Sequence, residues 1–225
     1  MVRPRILGCE RVYACSHPKM RHSSRKILET QKSGFGVKKS AMTENNNLPG
    51  SLLQAILFAA EKHRDQRRKG ANQAPYINHP IAVAEILWRV GEIRDEVTLQ
   101  AAILHDTVED TDTTLEELER LFGTEVRDVV MEATDDKSLP KAERKRLQIA
   151  HASHKSIRAR AVKIADKISN LGDIIRTPPP DWTAKRICEY VLWSEQVVAG
   201  LRGYHPALEA AYDAILADAK KSVGL

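Results

Sequence analysis

The sequence predicts an all-α fold, a helical bundle with short loops. Hydrophobic residues make up 42% of the 225 residues but aromatic residues only 5%, so the core must consist mainly of Leu, Ile, Val and Ala, which favours packed helices. Apolar residues recur at helical spacing, and no useful stretch shows the strict alternation of a half-buried strand. Proline, threonine and glycine stand where helices would begin and end. One domain with an extension suits this length.

The first two helices are predicted by apolar residues at helical spacing and by the residues that bound them. Helical spacing begins at Ser51, runs into a basic cluster and stops at Gly70. A second helix opens at His79-Pro80, because proline suits the first helical turn, and ends at Gly91. Its predicted buried face consists of Ile81, Ala84, Leu87 and Trp88.

The next predicted helix carries both apolar and ionisable side chains, and the Asp/Thr-rich run 110–114 ends it. Its apolar stripe consists of Val97, Ala101, Leu104 and Val108. Thr114 and Glu117 have the spacing of a capping box. They begin a short helix that ends at Gly123.

The remaining helices are predicted from residues that suit an N-cap or a first turn. A long helix is expected from Ser156 to Arg176, and the triple proline at 178–180 ends it. The other predicted starts are Thr124, Pro140, Asp181 and Pro206.

The N-terminal segment has a composition unlike the rest of the chain. Residues 1–50 lack periodicity and are expected to be a disordered basic extension, followed by a domain over residues 51–225. Residues 1–41 hold ten basic and two acidic side chains, a net +8 within the total of +5, which leaves −3 for residues 42–225. The extension could have no role, with Met42 as the true start, or be an organelle transit peptide or a nucleic-acid-binding arm. Because the basic charge belongs to the extension, we expect no nucleic-acid partner for the domain.

The cysteines and the hydropathy predict a cytoplasmic protein without a membrane partner. Cys9, Cys15 and Cys188 match no metal-site spacing, and their odd number argues against a full disulfide framework. The longest nearly apolar stretch, residues 52–60, is too short to span a bilayer. No secretory signal is apparent. The sequence leaves a homo-oligomer open.

Six ionisable residues have the composition of a metal-dependent site. Spacings of three and four residues place the pair at 105–106 beside the pair at 109–110, on one partly buried surface of the same predicted helix. Buried carboxylates without a partner are costly, and a divalent cation would remove that cost. Imidazole and carboxylate ligands suit Mn²⁺, with Fe²⁺, Mg²⁺ and Zn²⁺ as alternatives. The six residues are His79, His105, Asp106, Glu109, Asp110 and Asp166.

Each of these residues also has a purely structural interpretation. His79 can be a helix-start residue, and Asp166 can pair with a neighbouring lysine, Lys163 or Lys167. Glu109-Asp110 can be a solvated helix end, although a helix C terminus disfavours carboxylates. The other histidines considered, which we expect to be surface or core residues, are His63, His151, His154 and His205.

The order of four of these residues, His79, His105-Asp106 and Asp166, resembles the H…HD…D signature of the HD superfamily. Three longer strings are similar to the hydrolase half of RelA/SpoT-type enzymes: YINHP at 76–80, LHDTVEDT at 104–111 and VKIADKISNL at 162–171. Arg68-Lys69 and the TDDK string at 134–137 fit the same pattern. The resemblance runs from about Leu52 to Leu201. It is closest to the small stand-alone alarmone hydrolases, the family of the metazoan SpoT homologue.

The resemblance implies an HD-domain helical bundle with three groups of site residues. One Mn²⁺ per chain would be held by His79, His105, Asp106 and Asp166. The catalytic residues would be Glu109 and Asp110. The substrate would contact Arg68, Lys69, Asn170 and, on its nucleoside side, Tyr190.

The implied reaction is hydrolysis of ppGpp or pppGpp at the ribose 3′ position, which yields pyrophosphate and GDP or GTP. Two other classes stay open. The same residues could serve another HD phosphohydrolase, such as an NADPH 2′-phosphatase or a nucleotide 5′-phosphatase. The domain could also be a catalytically silent binding or regulatory module, although no ligand or acidic residue of the pattern is missing.

Overall fold

Helices dominate the computed structural model, which describes residues 48–225. In this range β pairing is limited to an isolated bridge between Arg67 and Pro75, so the all-α prediction is confirmed. The extension over residues 1–50 is predicted to be disordered. Its residues 1–47 lie outside the described part of the chain, and its last three residues belong to the first helix. The helices are α1 Leu48–Lys62, α2 Asn78–Arg89, α3 Glu96–Leu104, α4 Thr107–Asp110, α5 Leu115–Phe122, α6 Thr124–Ala133, α7 Lys141–His151, α8 Ile157–Arg176, α9 Ala184–Ala199 and α10 Pro206–Ser222.

Helix α8 is the centre of the fold, because other helices pack on several of its sides. It contacts α2, α3, α6, α9 and α10. Its buried side chains include small ones such as Ala161 and Ala165 and larger ones such as Ile164 and Leu171. Small residues let the surrounding helices approach closely, and the larger ones fill the space between them. Asp166, in the middle of α8, therefore lies deep in the domain.

Several predicted helix starts are confirmed by their caps. The side chain of Thr114 accepts a hydrogen bond from the backbone N–H of Glu117 at 3.2 Å, and Ser156 accepts from Ala159 at 3.2 Å. Helix α10 begins at Pro206 as predicted.

Two predicted caps are wrong. The cap of α9 is Thr183, which accepts from the N–H of Arg186 at 3.2 Å. Asp181 instead belongs to the turn that follows the triple proline, in which Trp182 N–H donates to the carbonyl of Pro179. Thr124 is the first residue of α6 rather than its cap, because Gly123 takes the cap position with a φ of +86°.

The first helix is shorter than predicted, and the second buries a different face. Helix α1 ends at Lys62, so the basic cluster up to Gly70 lies in a loop rather than on a helix. Helix α2 ends at Arg89 and buries Val83, Ala84, Ile86 and Leu87 along with His79 and Pro80. Ile81 and Trp88 are about 40% exposed. The buried face of α2 therefore differs from the predicted one, because His79 and Pro80 belong to it and Ile81 and Trp88 do not.

The predicted middle helix is divided in two at His105-Asp106. The side chain of His105 donates to the carbonyl of Ala102, and the Thr107 hydroxyl donates to the carbonyl of Leu104. Side chains that take over such carbonyls compete with the i→i+4 backbone ladder. Helix α3 therefore stops before His105, and α4 is a single separate turn.

No helix in the described part of the chain has both the length and the apolarity needed to cross a membrane.

Candidate metal centre and active-site cleft

Two buried histidines from different helices face each other in the middle of the domain. His79 is the second residue of α2, and His105 directly follows α3. Their ring centroids lie 5.4 Å apart, and both side chains are almost fully buried. The interpretation of His79 as only a helix-start residue does not explain why its ring is directed at another imidazole.

Each of these histidines uses one ring nitrogen for a hydrogen bond within the protein. His105 Nδ1 lies 2.8 Å from the carbonyl oxygen of Ala102 and must donate to it. His79 Nδ1 lies 3.1 Å from the hydroxyl of Ser169 on α8. Hydrogen bonds of this kind fix the ring orientation and tautomer of metal-binding histidines. They leave both Nε2 atoms directed at the space between the rings.

Two carboxylates share that space. Asp166 Oδ1 lies 3.2 Å from His79 Nε2 and 3.9 Å from His105 Nε2. Asp106 Oδ2 lies 3.2 Å from His105 Nε2 and 3.7 Å from His79 Nε2. The predicted pairing of Asp166 with Lys167 also occurs, at 3.0 Å, but through the other oxygen, Oδ2. One carboxylate oxygen of each aspartate therefore faces the imidazoles.

The donor set fits a divalent cation. One nitrogen or oxygen each from His79, His105 and Asp166 can be chosen so that all three lie within 4.8 Å of one another, and the distances above bring Asp106 to the same centre. His105 Nε2 is buried and has no hydrogen-bond partner within residues 48–225. A buried nitrogen without a partner is costly, and a metal ion would satisfy it. Two imidazoles with carboxylates suit a borderline-hard ion such as Mn²⁺.

The protonation of the imidazoles reflects burial and the nearby carboxylates. Burial lowers the pKa of His79, which favours the neutral ring that a metal requires. For His105 the effect of burial is outweighed by Asp106 and Asp166, and its pKa is raised. Metal binding at this centre therefore competes with a proton on His105.

The acidic pair on α4 lies beside the metal centre but is held by other partners. Glu109 accepts from the backbone N–H of Asp135 at 3.3 Å and faces Arg144 at 3.5 Å. The Tyr76 hydroxyl lies 3.2 Å from Asp110 Oδ2, and Asp110 forms an ion pair with Lys137. The TDDK string at 134–137 thus contacts both acids, so the pair stands at a helix end that is half-buried rather than fully solvated.

The environment of Glu109 favours its protonated form. Burial raises the pKa of Glu109, and the nearby carboxylates of Asp135 and Asp106 raise it further. A carboxylate with a raised pKa is a better proton acceptor near neutral pH than an ordinary one. Glu109 therefore has the environment of a general base.

Arg68 is linked to the metal centre through Asn170. Its guanidinium donates to Asn170 Oδ1 at 2.6 Å and to Asp173 Oδ2 at 2.9 Å. The amide of Asn170 donates in turn to Asp166 Oδ1 at 2.6 Å. The predicted substrate residues Arg68 and Asn170 are thus adjacent, and Lys69 is exposed beside them on the same loop.

All predicted site residues except His105 line one cleft of about 1060 Å³. Sequence reasoning missed further cations that line this cleft, Lys141 and Arg144 on α7 and Arg186 on α9. Partial burial lowers the pKa of Lys141, and repulsion from Arg186, Lys69 and Arg144 lowers it further. The basic pattern of residues 141–146 was a visible signal, but only the tertiary structure brings α7 to the same cleft as the Arg68 loop.

Aromatic side chains from the α9 region form another wall of the cleft. The Tyr190 ring lies 5.6 Å from that of Trp182 and 5.4 Å from that of Trp193. The Arg186 guanidinium lies over Trp182 at 4.4 Å. Burial raises the pKa of Tyr190, so its hydroxyl stays protonated. Such a wall can receive a flat ring beside the cations.

An all-helical domain with two imidazoles and two carboxylates around one centre is the arrangement of an HD-domain protein. The family model described as "HD domain" matches residues 55–191, which include all four of these residues. The chain belongs to the HD-domain family, and its relatives place it with the MESH1 proteins within that family.

The similarity to those relatives extends over most of their length. The guanosine-3′,5′-bis(diphosphate) 3′-pyrophosphohydrolase MESH1 of Danio rerio is 58% identical over 158 residues, 70% of this chain and 88% of the relative. The protein of the same name from Homo sapiens is 58% identical over 160 residues, 71% of this chain and 89% of the relative. A solved structure of a metazoan orthologue of SpoT that hydrolyses ppGpp has a TM-score of 0.73 and 44% identity, and the match covers 81% of this chain and 98% of that one.

Proposed function

We propose that this chain is a metal-dependent (p)ppGpp 3′-pyrophosphohydrolase. One arrangement carries the proposal: a metal centre, an acidic pair and a group of cations line the same cleft. Hydrolysis of a phosphate ester needs the metal and the acids, and binding of its phosphates needs the cations. The MESH1 relatives bear the name of this activity.

The metal would be held by His79, His105, Asp106 and Asp166, and we propose one Mn²⁺ per chain. When bound, it would lower the pKa of water and polarise a phosphoryl oxygen. Lys167 pairs with the outward oxygen of Asp166, and Ser169 fixes the ring of His79. These contacts orient the ligands toward the centre before a metal arrives.

Glu109 and Asp110 would share the handling of the attacking water. Glu109 takes its proton, for which the raised pKa is suited. Asp110, held by Tyr76 and Lys137, orients the water. The water oxygen bonds to the phosphorus attached to the ribose O3′, the O3′–P bond breaks to release pyrophosphate, and O3′ takes up the proton held by Glu109, which leaves GDP or GTP.

The substrate phosphates would bind on the basic side of the cleft. Arg68 is held in place by Asp173 and Asn170 through Nε and Nη2, so its remaining nitrogen, Nη1, is oriented in advance to donate to a phosphate. Lys69 and Arg186 each repel Lys141, and a polyanion between these cations removes that repulsion. Tyr190 would lie against the nucleoside.

The location of the protein belongs to the same proposal. The cysteine usage predicts the cytoplasm, and Cys188, in the described part of the chain, is a free thiol. A nucleotide substrate would be available there.

The proposal is tested by Mn²⁺-dependent turnover of ppGpp with identification of the products, run in parallel with NADPH. We expect GDP and pyrophosphate from ppGpp, and loss of turnover in Asp106→Ala. Asp128→Ala, a half-exposed aspartate on α6 away from the cleft, is the matched control and should be fully active. Turnover of NADPH without turnover of ppGpp would assign the other HD activity. Full ppGpp turnover by Asp106→Ala would refute the proposed site.

A further inference from the structure

The last carbonyl group of the acidic turn α4 needs a hydrogen-bond donor from outside the turn. It contains four residues, and Asp110 is the last of them. Carbonyl groups in the final turn of a helix have no intrahelical partner. The carbonyl oxygen of Asp110 accepts a hydrogen bond from the side-chain amide of Gln66, with the two atoms 2.5 Å apart. Gln66 lies in the loop after α1, so a distant segment caps this turn.

The amide of Gln66 is itself oriented by a buried histidine. Because its nitrogen donates to Asp110, its oxygen must be the acceptor toward His63 Nδ1, at 2.7 Å. His63 Nδ1 therefore carries a proton. The His63 ring is only 2% exposed, and its Nε2 has no hydrogen-bond partner in the described residues. If His63 were solvated or served only to fill space in the core, it would not need this hydrogen bond to Gln66.

The same loop reaches Asp110 by a second route. The N–H of Tyr76 donates to the carbonyl of Gln66 at 3.1 Å, and the His63 and Tyr76 rings lie 4.8 Å apart. The Tyr76 hydroxyl donates to Asp106 Oδ2 at 2.7 Å and lies 3.2 Å from Asp110 Oδ2. Asp110 is thus held at its backbone and at its carboxylate by residues that pack on one another.

We propose that Gln66, oriented by His63, is a positioning residue for the acidic turn α4. It acts through Asp110, because Gln66 is not among the residues that line the cleft. This inference rests on the proposed function in assigning a catalytic role to Asp110. The position of the turn itself can be measured without any substrate.

The first test is steady-state kinetics of Gln66→Met on ppGpp with Mn²⁺. Methionine keeps the length of the side chain and removes both hydrogen bonds. We expect kcat to fall about tenfold or more, since small displacements of a catalytic group have large effects, with KM and bound Mn²⁺ close to wild type. The matched control is Gln100→Met, which removes the hydrogen bond of a buried glutamine to Glu96 on α3 and should retain its kcat. Equal effects of the two substitutions, or a change in KM alone, would overturn the proposal.

A double-variant cycle separates positioning from general destabilisation. If Gln66 acts through α4, Gln66→Met should reduce single-turnover rates much less in an Asp110→Asn background than in wild type. The same reduction in both backgrounds would show that Gln66 acts independently of the acid, and the proposal would be wrong.

Hydrogen exchange tests the positioning even if wild type does not turn over ppGpp. The amides of Asp110 and Thr111 donate to the carbonyls of Asp106 and Thr107. In Gln66→Met these two amides should exchange faster than in wild type, and in Gln100→Met at the wild-type rate. Unchanged exchange in Gln66→Met would overturn the inference. Inactive wild-type protein with faster exchange would instead contradict only the proposed function.

Discussion

At the scale of single residues, neighbouring charges decide what each buried histidine does. His63, His79 and His105 are all almost fully buried, and each uses Nδ1 in a hydrogen bond. Only His79 and His105 direct Nε2 at carboxylates. The sequence interpretation of His63 as a core or surface histidine is confirmed for the core, although its hydrogen bond to Gln66 was not foreseen.

Glu109→Gln should lower the activity without lowering the stability of the folded protein. The raised pKa of Glu109 means that its ionised form is less favourable in the folded chain than in the unfolded one. This cost is present above the raised pKa and disappears as the pH falls through it. In metal-free protein at pH 7 we expect the melting temperature of the variant to equal or exceed that of wild type, with a difference that shrinks on acidification. The rate on ppGpp should fall about 10²–10⁴-fold. A lower melting temperature at pH 7 would contradict this account of Glu109.

Lys155→Met should change the pH dependence of the free energy of unfolding, because the Lys155 side chain is largely buried. Burial, together with repulsion from Lys163, lowers the pKa of Lys155 from 10.5 to about 8. Between these two values the unfolded chain holds a proton that the folded chain has released, so the contribution of Lys155 to stability rises with pH. The free energy of unfolding of the variant relative to wild type should therefore decrease from pH 7 to pH 10 in urea titrations. A difference independent of pH would show that Lys155 titrates normally.

At the scale of helices, close approach of backbones positions the elements that carry the site. Helix α9 carries Tyr190 and Arg186, and its C-terminal end at Gly200 packs against the 3-10 turn Ala152–His154 that follows α7. A Cβ at Gly200 would lie 2.7 Å from the Cβ of Ala152. Neither atom can move without the backbone, so this glycine is required by packing.

Gly200→Ala and Gly172→Ala should have opposite effects on stability. The first should destabilise the protein by about 1–3 kcal/mol through overpacking. The three atoms nearest to a Cβ at Gly172 all belong to the guanidinium of Arg176, the closest at 2.9 Å, and that side chain is largely exposed and can turn away. Alanine in the middle of α8 should therefore stabilise it by up to ~1 kcal/mol. Urea denaturation of both variants is the measurement, and the same sign for both would refute the packing argument.

At the scale of the whole molecule, the fold collects charges of both signs in one cleft. Residues 42–225 carry a net charge of −3, yet Lys141 and Arg144 of α7 and Arg186 of α9 line the same cleft as the acidic centre. An acidic domain can thus bind a polyanion because its cations are concentrated in one place. The metal completes this arrangement by compensating the carboxylates.

Metal binding should stabilise the whole domain and be required for activity. At free Mn²⁺ of about 100 times Kd the gain is about 2.7 kcal/mol, roughly 5–10 °C in melting temperature. Asp166→Asn should lose most of this increase. Asp173→Asn, on the same helix but paired with Arg68, should keep it. Removal of the metal with EDTA should abolish turnover, and added Mn²⁺ should restore it. Turnover that persists after chelation, or an equal thermal shift in both variants, would contradict the proposed ligands.

The sequence by itself determined the helical class, the central helix 156–176, several caps and the residues of the H…HD…D pattern, because periodicity, capping and residue type are local properties. The tertiary structure decided the break at His105-Asp106, the loop that carries Arg68, and the cations of α7 and α9 across the cleft. The break involves hydrogen bonds between residues three apart, but the loop and the cations depend on contacts between residues far apart in the chain, such as Gln66 with Asp110 and Arg68 with Asn170. Local spacing does not contain such contacts, because they arise only when helices pack around α8.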